Sequence, residues 1–182
     1  MLFLNADELE AGLPDILSSP RDDGVVSMIV RRPDTDQREV LDSGELDVAE
    51  GLVGDNWRTR GSRMTADGSA HPDMQLNIMN ARVISLVARS RERWALAGDQ
   101  FFVNLDLGKE NLPAGTRIAM GSAVIEVTSI PHLGCKKFTA RFGLEAMKFV
   151  NSRRGKAHCF RGINAKVVQS GRVDTGDPIR RL

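Results

Sequence analysis

Residues 116–130 read Thr-Arg-Ile-Ala-Met-Gly-Ser-Ala-Val-Ile-Glu-Val-Thr-Ser-Ile, the pattern of a β-hairpin. The turn Gly121-Ser122 separates two runs that are rich in apolar and β-branched residues. Apolar and polar residues do not alternate strictly in the second run, because Ile125 and Val127 are apolar in addition to Val124 and Ile130. We therefore predict that the second strand of this hairpin is buried on both faces.

Similar short runs, separated by glycine-containing turns, lie on both sides of this hairpin. Further strands are predicted at residues 25–32, 38–48 with a turn near Ser43-Gly44, 74–79, 101–107, 163–168, 171–173 and 179–181. Helices are predicted at residues 5–17, 80–94 and 144–150, and a mobile loop at residues 59–73. Many short strands with few helices predict a mainly β, α+β fold that forms a barrel or a sandwich.

The composition is that of one globular domain. The chain has 182 residues, of which 41% are hydrophobic and 27% charged. Two cysteines cannot form a disulfide scaffold, so a reducing compartment is expected. No apolar run has the length of a membrane span, and the acidic start does not resemble a signal peptide. We expect a cytoplasmic protein without membrane contact.

Reactive chemistry concentrates in residues 130–143. Cys135 follows a glycine and precedes Lys136 and Lys137, with His132 three residues before it and Arg141 six residues after it. Cationic neighbours favour the thiolate, which is the form that attacks electrophiles, carries sulfur or binds a soft metal. This stretch is therefore the candidate site.

Residues 136–161 form a strongly basic segment, in which eight Lys and Arg side chains are opposed only by Glu145. Such a segment is either a solvated surface or a binding site for an anion. Phe138 and Phe142 stand four residues apart, and we interpret them as core residues rather than as a platform for nucleic-acid bases.

Other site chemistries are poorly supported. His132, Cys135, His158 and Cys159 lack the spacing of a structural zinc site, because His158 and Cys159 are adjacent. A nucleophilic pair of Cys135 with His132 or His158 remains open. Cys159 is interpreted as a small core residue without a function. The sequence has no phosphate-binding loop and no dinucleotide fingerprint. What remains is a thiolate among cations, which suits a soft centre on an anionic carrier.

Several motifs of the chain together resemble the MOSC domain family, named for the C-terminal domain of molybdenum cofactor sulfurase. They are Gly98-Asp-Gln-Phe-Phe-Val-Asn-Leu-Asp-Leu107, Asn111-Leu-Pro-x-Gly115, Ile125-Glu-Val-Thr128, Pro131-His-x-Gly-Cys135, Arg141-Phe-Gly143 and Arg161-Gly-Ile-Asn-Ala165. The earlier turn Gly51-Leu-Val-Gly-Asp55 is also similar to the family pattern. The resemblance divides the chain into an acidic N-terminal helix and linker, residues 1–23, and a MOSC-like domain, residues 24–182.

This resemblance implies a β-barrel-like fold with Cys135 in a pocket, as a sulfur carrier or as a ligand of molybdenum. The molybdenum cofactor (molybdopterin) is the implied cofactor, and family-level labels also include pyridoxal phosphate binding. Candidate contacts to the pterin phosphate or another anion are Lys136, Arg141 and Arg161, because guanidinium groups match phosphate oxygens. Asn104 and Asn164 are candidate pterin contacts, and His132 is expected to tune the thiolate.

The chain lacks features of the better-known relatives, namely an aminotransferase-like domain, a separate N-terminal barrel and cysteines for an iron–sulfur cluster. We therefore expect a sulfur-donor or electron-donor protein as partner, together with an anionic small-molecule cofactor. The implied activity is sulfur transfer or the reduction of N-hydroxylated compounds. The alternative is a non-catalytic anion- or RNA-binding module that uses residues 136–161, although nucleic acid is the less favoured partner.

Overall fold

The computed structural model describes residues 3–182, which form eleven strands, seven α-helices and two 3₁₀ helices. The strands are β1 (Gly24–Arg31), β2 (Glu39–Leu41), β3 (Ser43–Asp47), β4 (Gly51–Leu52), β5 (Leu76–Asn80), β6 (Phe101–Asn104), β7 (Arg117–Met120), β8 (Ala123–Pro131), β9 (Ile163–Gln169), β10 (Gly171–Asp174) and β11 (Pro178–Arg181). The helices are α1 (Ala6–Ala11), α2 (Leu13–Leu17), α3 (Trp57–Arg60), α4 (Ala81–Ala88), α5 (Lys136–Phe142), α6 (Leu144–Asn151) and α7 (Arg153–Ala157), with 3₁₀ turns at Pro72–Met74 and Arg91–Ala97.

Seven strands close into a barrel, which confirms the predicted β-barrel-like fold. Their order around the ring is β11-β7-β8-β9-β5-β6-β1, and β1 pairs with β11 to complete it. Neighbours in the ring are antiparallel except for β5 and β6, which are parallel. Strand β2 extends the sheet beside β1, and β3, β4 and β10 form a separate three-stranded sheet.

The predicted hairpin is present as β7 and β8, with Arg117 opposite Glu126 and Met120 opposite Ala123. The prediction that β8 is buried on both faces is wrong. Its residues alternate from Ala123 to Thr128 between buried and half-buried, because one face points into the barrel and the other is only partly covered. Ile125 and Val127 belong to the buried face.

Two apolar cores lie on opposite faces of the barrel wall. Along β6, Phe101 and Val103 join a core made of residues from the strands and their loops, whereas Phe102 joins a core shared with the helices. This division follows from the two-residue period of a strand. The helical core contains Phe138 and Phe142, as predicted, with their ring centroids 4.9 Å apart.

Two predicted elements have different ends in the structure. The predicted helix 80–94 is two elements, because α4 ends at Ala88, Arg89 adopts left-handed backbone angles, and Trp94 lies in the following 3₁₀ turn. The predicted segment 38–48 forms two strands, β2 and β3, and the turn predicted near Ser43-Gly44 lies slightly earlier, at Asp42; the two strands belong to different sheets. Helical spacing alone did not identify the residue at which α4 stops.

The N-terminal segment forms two short helices that pack on the helical core. Asn5 caps α1 with a capping box in which Glu8 takes part, and Pro14 stands in the first turn of α2. Leu9, Leu13 and Ile16 are buried. Among residues 3–182, no helix combines the length and the apolarity that crossing a membrane requires.

Candidate functional site

Cys135 lies at the point where the chain leaves β8 and enters α5. Its backbone is extended and it occupies the N-cap position of α5, where its side chain makes no capping hydrogen bond. Its carbonyl accepts hydrogen bonds from the Thr139 amide at 3.0 Å and from Thr139 Oγ1 at 3.3 Å. The side chain is exposed and the thiol is free. The fold therefore presents this sulfur to solvent from an anchored backbone.

Asn151 holds the loop that precedes Cys135. Its Oδ1 accepts from the Gly134 amide at 2.8 Å, and its Nδ2 donates to the Gly134 carbonyl at 3.0 Å. A side chain at Gly134 would lie 3.1 Å from Val150 and 3.2 Å from Asn151. Two hydrogen bonds and close packing therefore fix the loop against the end of α6.

A buried charged cluster lies behind this loop and brings together two of the predicted site residues. The Asp99 carboxylate accepts from Arg161 Nη1 at 2.7 and 2.9 Å and lies 2.8 Å from His132 Nε2. Asp99 is fully buried and Arg161 is 5% exposed. The guanidinium of Arg161 also donates to the Ala97 carbonyl and lies 5.1 Å from the Phe138 ring centroid.

Burial opposes ionisation of both acidic and basic groups in this cluster. At Asp99 the charge of Arg161 and the contacts and hydrogen bonds of His132 and Arg161 together outweigh burial, so the pKa of Asp99 is lowered to about 2. Burial, followed by the charge of Arg161, lowers the pKa of His132 below its usual value. A neutral His132 beside an ionised Asp99 carries its proton on Nε2, so Nδ1 is left as a hydrogen-bond acceptor.

Four arginines lie close to one another and are called the arginine cluster: Arg32, Arg38, Arg60 and Arg141. Arg32 is neutralised by Asp55, with which it makes hydrogen bonds of 2.8 Å from both Nε and Nη2. Arg141 donates to Asp36 at 2.9 Å and to the Leu96 carbonyl at 2.7 Å.

The arginine cluster is incompletely neutralised. The pKa of Arg38 is lowered by partial burial and then by the charges of Arg141 and Arg32. The pKa of Arg60 is lowered by burial and then by Arg32. Among residues 3–182, Arg38 Nε and Arg161 Nε are buried without a hydrogen-bond acceptor. These donors and this excess of positive charge fit an anionic group such as the phosphate of molybdopterin.

Glycine leaves space at the centre of this cluster. A side chain at Gly98 would lie 3.7 Å from Arg38 Nη2 and 3.9 Å from Arg141 Nη1. Gly98 also has a φ of +89°, a backbone angle that favours glycine. Glycine therefore leaves a gap about the size of a methyl group beside these two guanidinium groups.

The remaining predicted residues are distributed unevenly. Asn164 is buried near the charged cluster, where its Nδ2 donates to the Ile130 carbonyl and its Oδ1 accepts from Asn77 Nδ2 at 2.7 Å. Lys136 is exposed beside Cys135. Asn104 stands at the far end of β6 from Asp99, and its Oδ1 accepts from Arg82 Nε at 2.9 Å. The structure thus separates Asn104 from the other predicted site residues.

The second cysteine packs against the strand core, as interpreted from the sequence, but it is not fully buried. Cys159 is half-buried, has a φ of +50°, and contributes to the wall of a cavity. Burial raises the pKa of its thiol above the usual value. His158 is exposed and stacks on Phe160, with ring centroids 5.8 Å apart. No three His, Cys, Asp or Glu side chains in the described part of the chain are grouped as a metal site.

Sequence reasoning did not identify several of the residues that build this site. Asp99, Arg32 and Asn151 gave no local pattern, because their partners Arg161, Asp55 and Gly134 lie 17 to 62 residues away along the chain. Asp99 was visible only as part of the motif that begins at Gly98. The signal available for Arg38 was its charge alone.

Comparison with known proteins identifies the fold. The family model described as the MOSC domain matches residues 65–180, and no curated protein matches the chain. Among solved structures, YuaD from Bacillus subtilis superposes with a TM-score of 0.63 at 18% identity, covering 87% of this chain and 94% of that one. YiiM from Escherichia coli has a TM-score of 0.55 at 21% identity, covering 87% and 69%. YiiM from Geobacillus stearothermophilus has a TM-score of 0.57 at 14% identity, covering 87% and 75%.

Proposed function

Because the chain belongs to the MOSC domain family, which is associated with molybdenum cofactor binding or sulfur-related function, we propose that it binds the molybdenum cofactor. Cys135 is the proposed protein ligand of the metal, and the arginine cluster is the proposed site of the pterin phosphate. The observation that carries this proposal is that α5 joins an exposed free thiol at its start to an arginine cluster that is incompletely neutralised at its end. Cys135 begins α5, and Arg141 lies in its last turn.

The spacing of these groups suits an extended ligand with a soft end and an anionic end. Six residues separate Cys135 from Arg141, which corresponds to about 9 Å along a helix axis. The thiolate is a soft ligand that suits molybdenum, and the guanidinium groups suit phosphate oxygens. When bound, the cofactor would supply two-electron redox chemistry at its metal.

The protein residues have separate tasks in this proposal. Cys135 holds the metal through its sulfur, while Asn151 keeps the preceding loop in place. Arg38 and Arg141 hold the anion across the gap at Gly98. Asp99 and Arg161 fix the orientation of His132, which stands three residues before the thiol. An electron-donor protein would then support reduction of an N-hydroxylated substrate.

Sulfur carriage on Cys135 is a second candidate, and the exposure of the side chain favours it. An exposed thiol at the start of a helix can be reached by the active site of a sulfur-donor protein. In this case Cys135 would hold a persulfide that a reductant removes. Intact mass spectrometry would then find the freshly purified protein heavier by one sulfur, and the Cys135→Ser variant without this addition.

The proposal is tested by the molybdenum and pterin content of protein purified from cells with a functioning cofactor supply. We expect both to be near stoichiometric in the wild type and in Cys159→Ser, and molybdenum to fall at least about tenfold in Cys135→Ser. Arg38→Met should reduce retained pterin, whereas Arg58→Met should not, since Arg58 forms an exposed ion pair with Glu50. Equal molybdenum in wild type and Cys135→Ser would contradict the proposal.

The RNA-binding alternative is less well supported, because most basic side chains of residues 136–161 form ion pairs with acidic residues of the chain. Arg141 and Lys137 contact Asp36, Arg154 contacts Glu10, Lys148 contacts Glu145, and Arg161 is buried on Asp99. If the alternative holds, binding to a single-stranded RNA should weaken with salt and with Lys136→Ala plus Arg141→Ala, and survive Cys135→Ser. Absence of binding at low salt would remove it.

A further inference from the structure

A cavity of about 560 Å³ lies beside the loop that leads to Cys135, and Cys135 is not among the residues that line it. His132 and Leu133 form part of one wall, and Cys159 forms part of another. Nothing in the proposed function uses this space. We propose that the cavity is a separate binding site for a small apolar molecule that carries one anionic group.

The size and the lining of the cavity fit a small molecule. Ligand pockets commonly measure 300–1,000 Å³ and combine an apolar lining with few polar groups. Most of the lining here is apolar. It comes from β8, the loop after it, the segment before β7, α6 and β9, and includes Leu112, Val127, Ile130, Leu133, Val150 and Ile163. An apolar body of one or two rings would replace water against these side chains.

The charge of the lining selects for an anion. Lys109 and Lys156 line the cavity, are exposed, and have no ion-pair partner among residues 3–182, while the lining includes no Asp or Glu. Asp106 lies near Cys159 but outside this lining, and its Oδ1 accepts from the Gly108 amide at 2.9 Å. Two ammonium groups at the rim of an apolar cavity attract a carboxylate or a sulfonate.

His132 adds one directional contact. Its Nε2 is engaged by Asp99, and Nδ1 has no protein partner within the described residues. The side chain is 14% exposed and lines the cavity, so Nδ1 can accept a hydrogen bond from an N–H or O–H group of the ligand. The neighbouring Asn164 has both ends of its amide occupied by protein groups. The ligand is thus an apolar body with an anion toward the lysines and a donor toward His132.

The test uses two dyes that differ in the anionic group alone. 1-Anilinonaphthalene-8-sulfonate has two ring systems, an N–H donor and a sulfonate, and N-phenyl-1-naphthylamine lacks the sulfonate. We expect saturable fluorescence enhancement by the full chain with the sulfonate dye. Lys109→Ala plus Lys156→Ala should lower the affinity for the sulfonate dye about tenfold, which is the effect expected from the loss of two partly exposed charge pairs. The affinity for the neutral dye should stay unchanged.

Three controls locate the binding. Lys148→Ala, which removes a surface lysine paired with Glu145, should not change the affinity. Cys135→Ser should leave the affinity unchanged, so failure of the proposed function does not affect this test. In that same variant the sulfonate dye should slow the reaction of Cys159 with a disulfide reagent. Absence of saturable binding, or binding insensitive to the lysines that leaves Cys159 unprotected, would overturn the proposal.

Discussion

The two cysteines of this chain carry the same thiol in opposite surroundings. Cys135 is exposed at the start of α5, with Lys136 next to it and Arg141 in the last turn of the same helix. Cys159 is half-buried in a cavity wall, where burial raises the pKa of its thiol. His132 lies in the loop that leads to Cys135, and Arg161, which pairs with the buried Asp99, stands two residues after Cys159. Position in the fold, rather than residue type, therefore determines the exposure of each thiol.

The buried Asp99 contacts His132, three residues before Cys135, and Arg161, two residues after Cys159, and loss of its charge should have the largest effect. Asp99→Asn removes the charge that compensates a guanidinium which is only 5% exposed. We expect a loss of about 3–5 kcal/mol in the free energy of unfolding, measured by urea denaturation. Arg172→Ala serves as the control, since it breaks an exposed pair with Asp174. A loss below about 1 kcal/mol for Asp99→Asn would show that the pair is not structural.

Reactivity of the single-cysteine variants measures the comparison itself. Cys159→Ser leaves the exposed thiol, and Cys135→Ser leaves the half-buried one. We expect the former to react with a disulfide reagent at least about tenfold faster at neutral pH, because burial limits both access and thiolate formation at Cys159. In concentrated urea the two rates should converge. Equal rates in the native protein would end the distinction between the two sites.

Asn151→Ala tests the anchoring of the loop on the Cys135 side. It removes the two hydrogen bonds to Gly134 at 2.8 and 3.0 Å. We expect a loss of about 1–2 kcal/mol in the free energy of unfolding and faster amide hydrogen exchange at residues 132–135. Cys159 reactivity should stay as in the wild type. If exchange in the loop is unchanged, other contacts hold it.

The pH dependence of the free energy of unfolding tests whether His132 is neutral in the folded protein. This is the smallest effect that we expect. Its folded-state pKa is lowered, so the unfolded chain binds a proton first as pH falls below about 6.5. Stability is therefore present above that pH and decreases below it. Asp99 adds a second decrease between about pH 4 and its folded pKa of about 2. His132→Gln should reduce the first slope and keep the second, as measured by urea midpoints from pH 3 to 8.

Much of the barrel could be predicted from the sequence, because its strands are local patterns. The runs at residues 117–120, 123–131 and 163–169 combine apolar or β-branched residues with flanking turns, and each forms a strand. The end of α4 at Ala88 was not predictable, since Arg89 adopts left-handed backbone angles that the arginine side chain does not favour. Burial of β8 on one face depends on barrel closure, which a local pattern does not contain.

Site residues could be predicted only where the reactive and charged groups lie close together in the sequence. Cys135 with Lys136 and Arg141 could be identified as a reactive stretch, and the structure places the first and last of these at opposite ends of one helix. Arg161 was a candidate contact to the pterin phosphate and Asn104 a candidate contact to the pterin, but Arg161 binds Asp99 and Asn104 accepts a hydrogen bond from Arg82. Pairings across 60 or more residues, such as Asp99 with Arg161, are products of the fold.

Ligation of molybdenum by Cys135 is tested most directly by X-ray absorption at the molybdenum edge of cofactor-loaded protein. We expect the wild type and Cys159→Ser to share one spectrum, and Cys135→Ser, loaded to a measurable extent, to lose one molybdenum–sulfur scattering path. A Cys135→Ser spectrum identical to that of the wild type, or a change in Cys159→Ser instead, would contradict the assignment of Cys135 as the metal ligand.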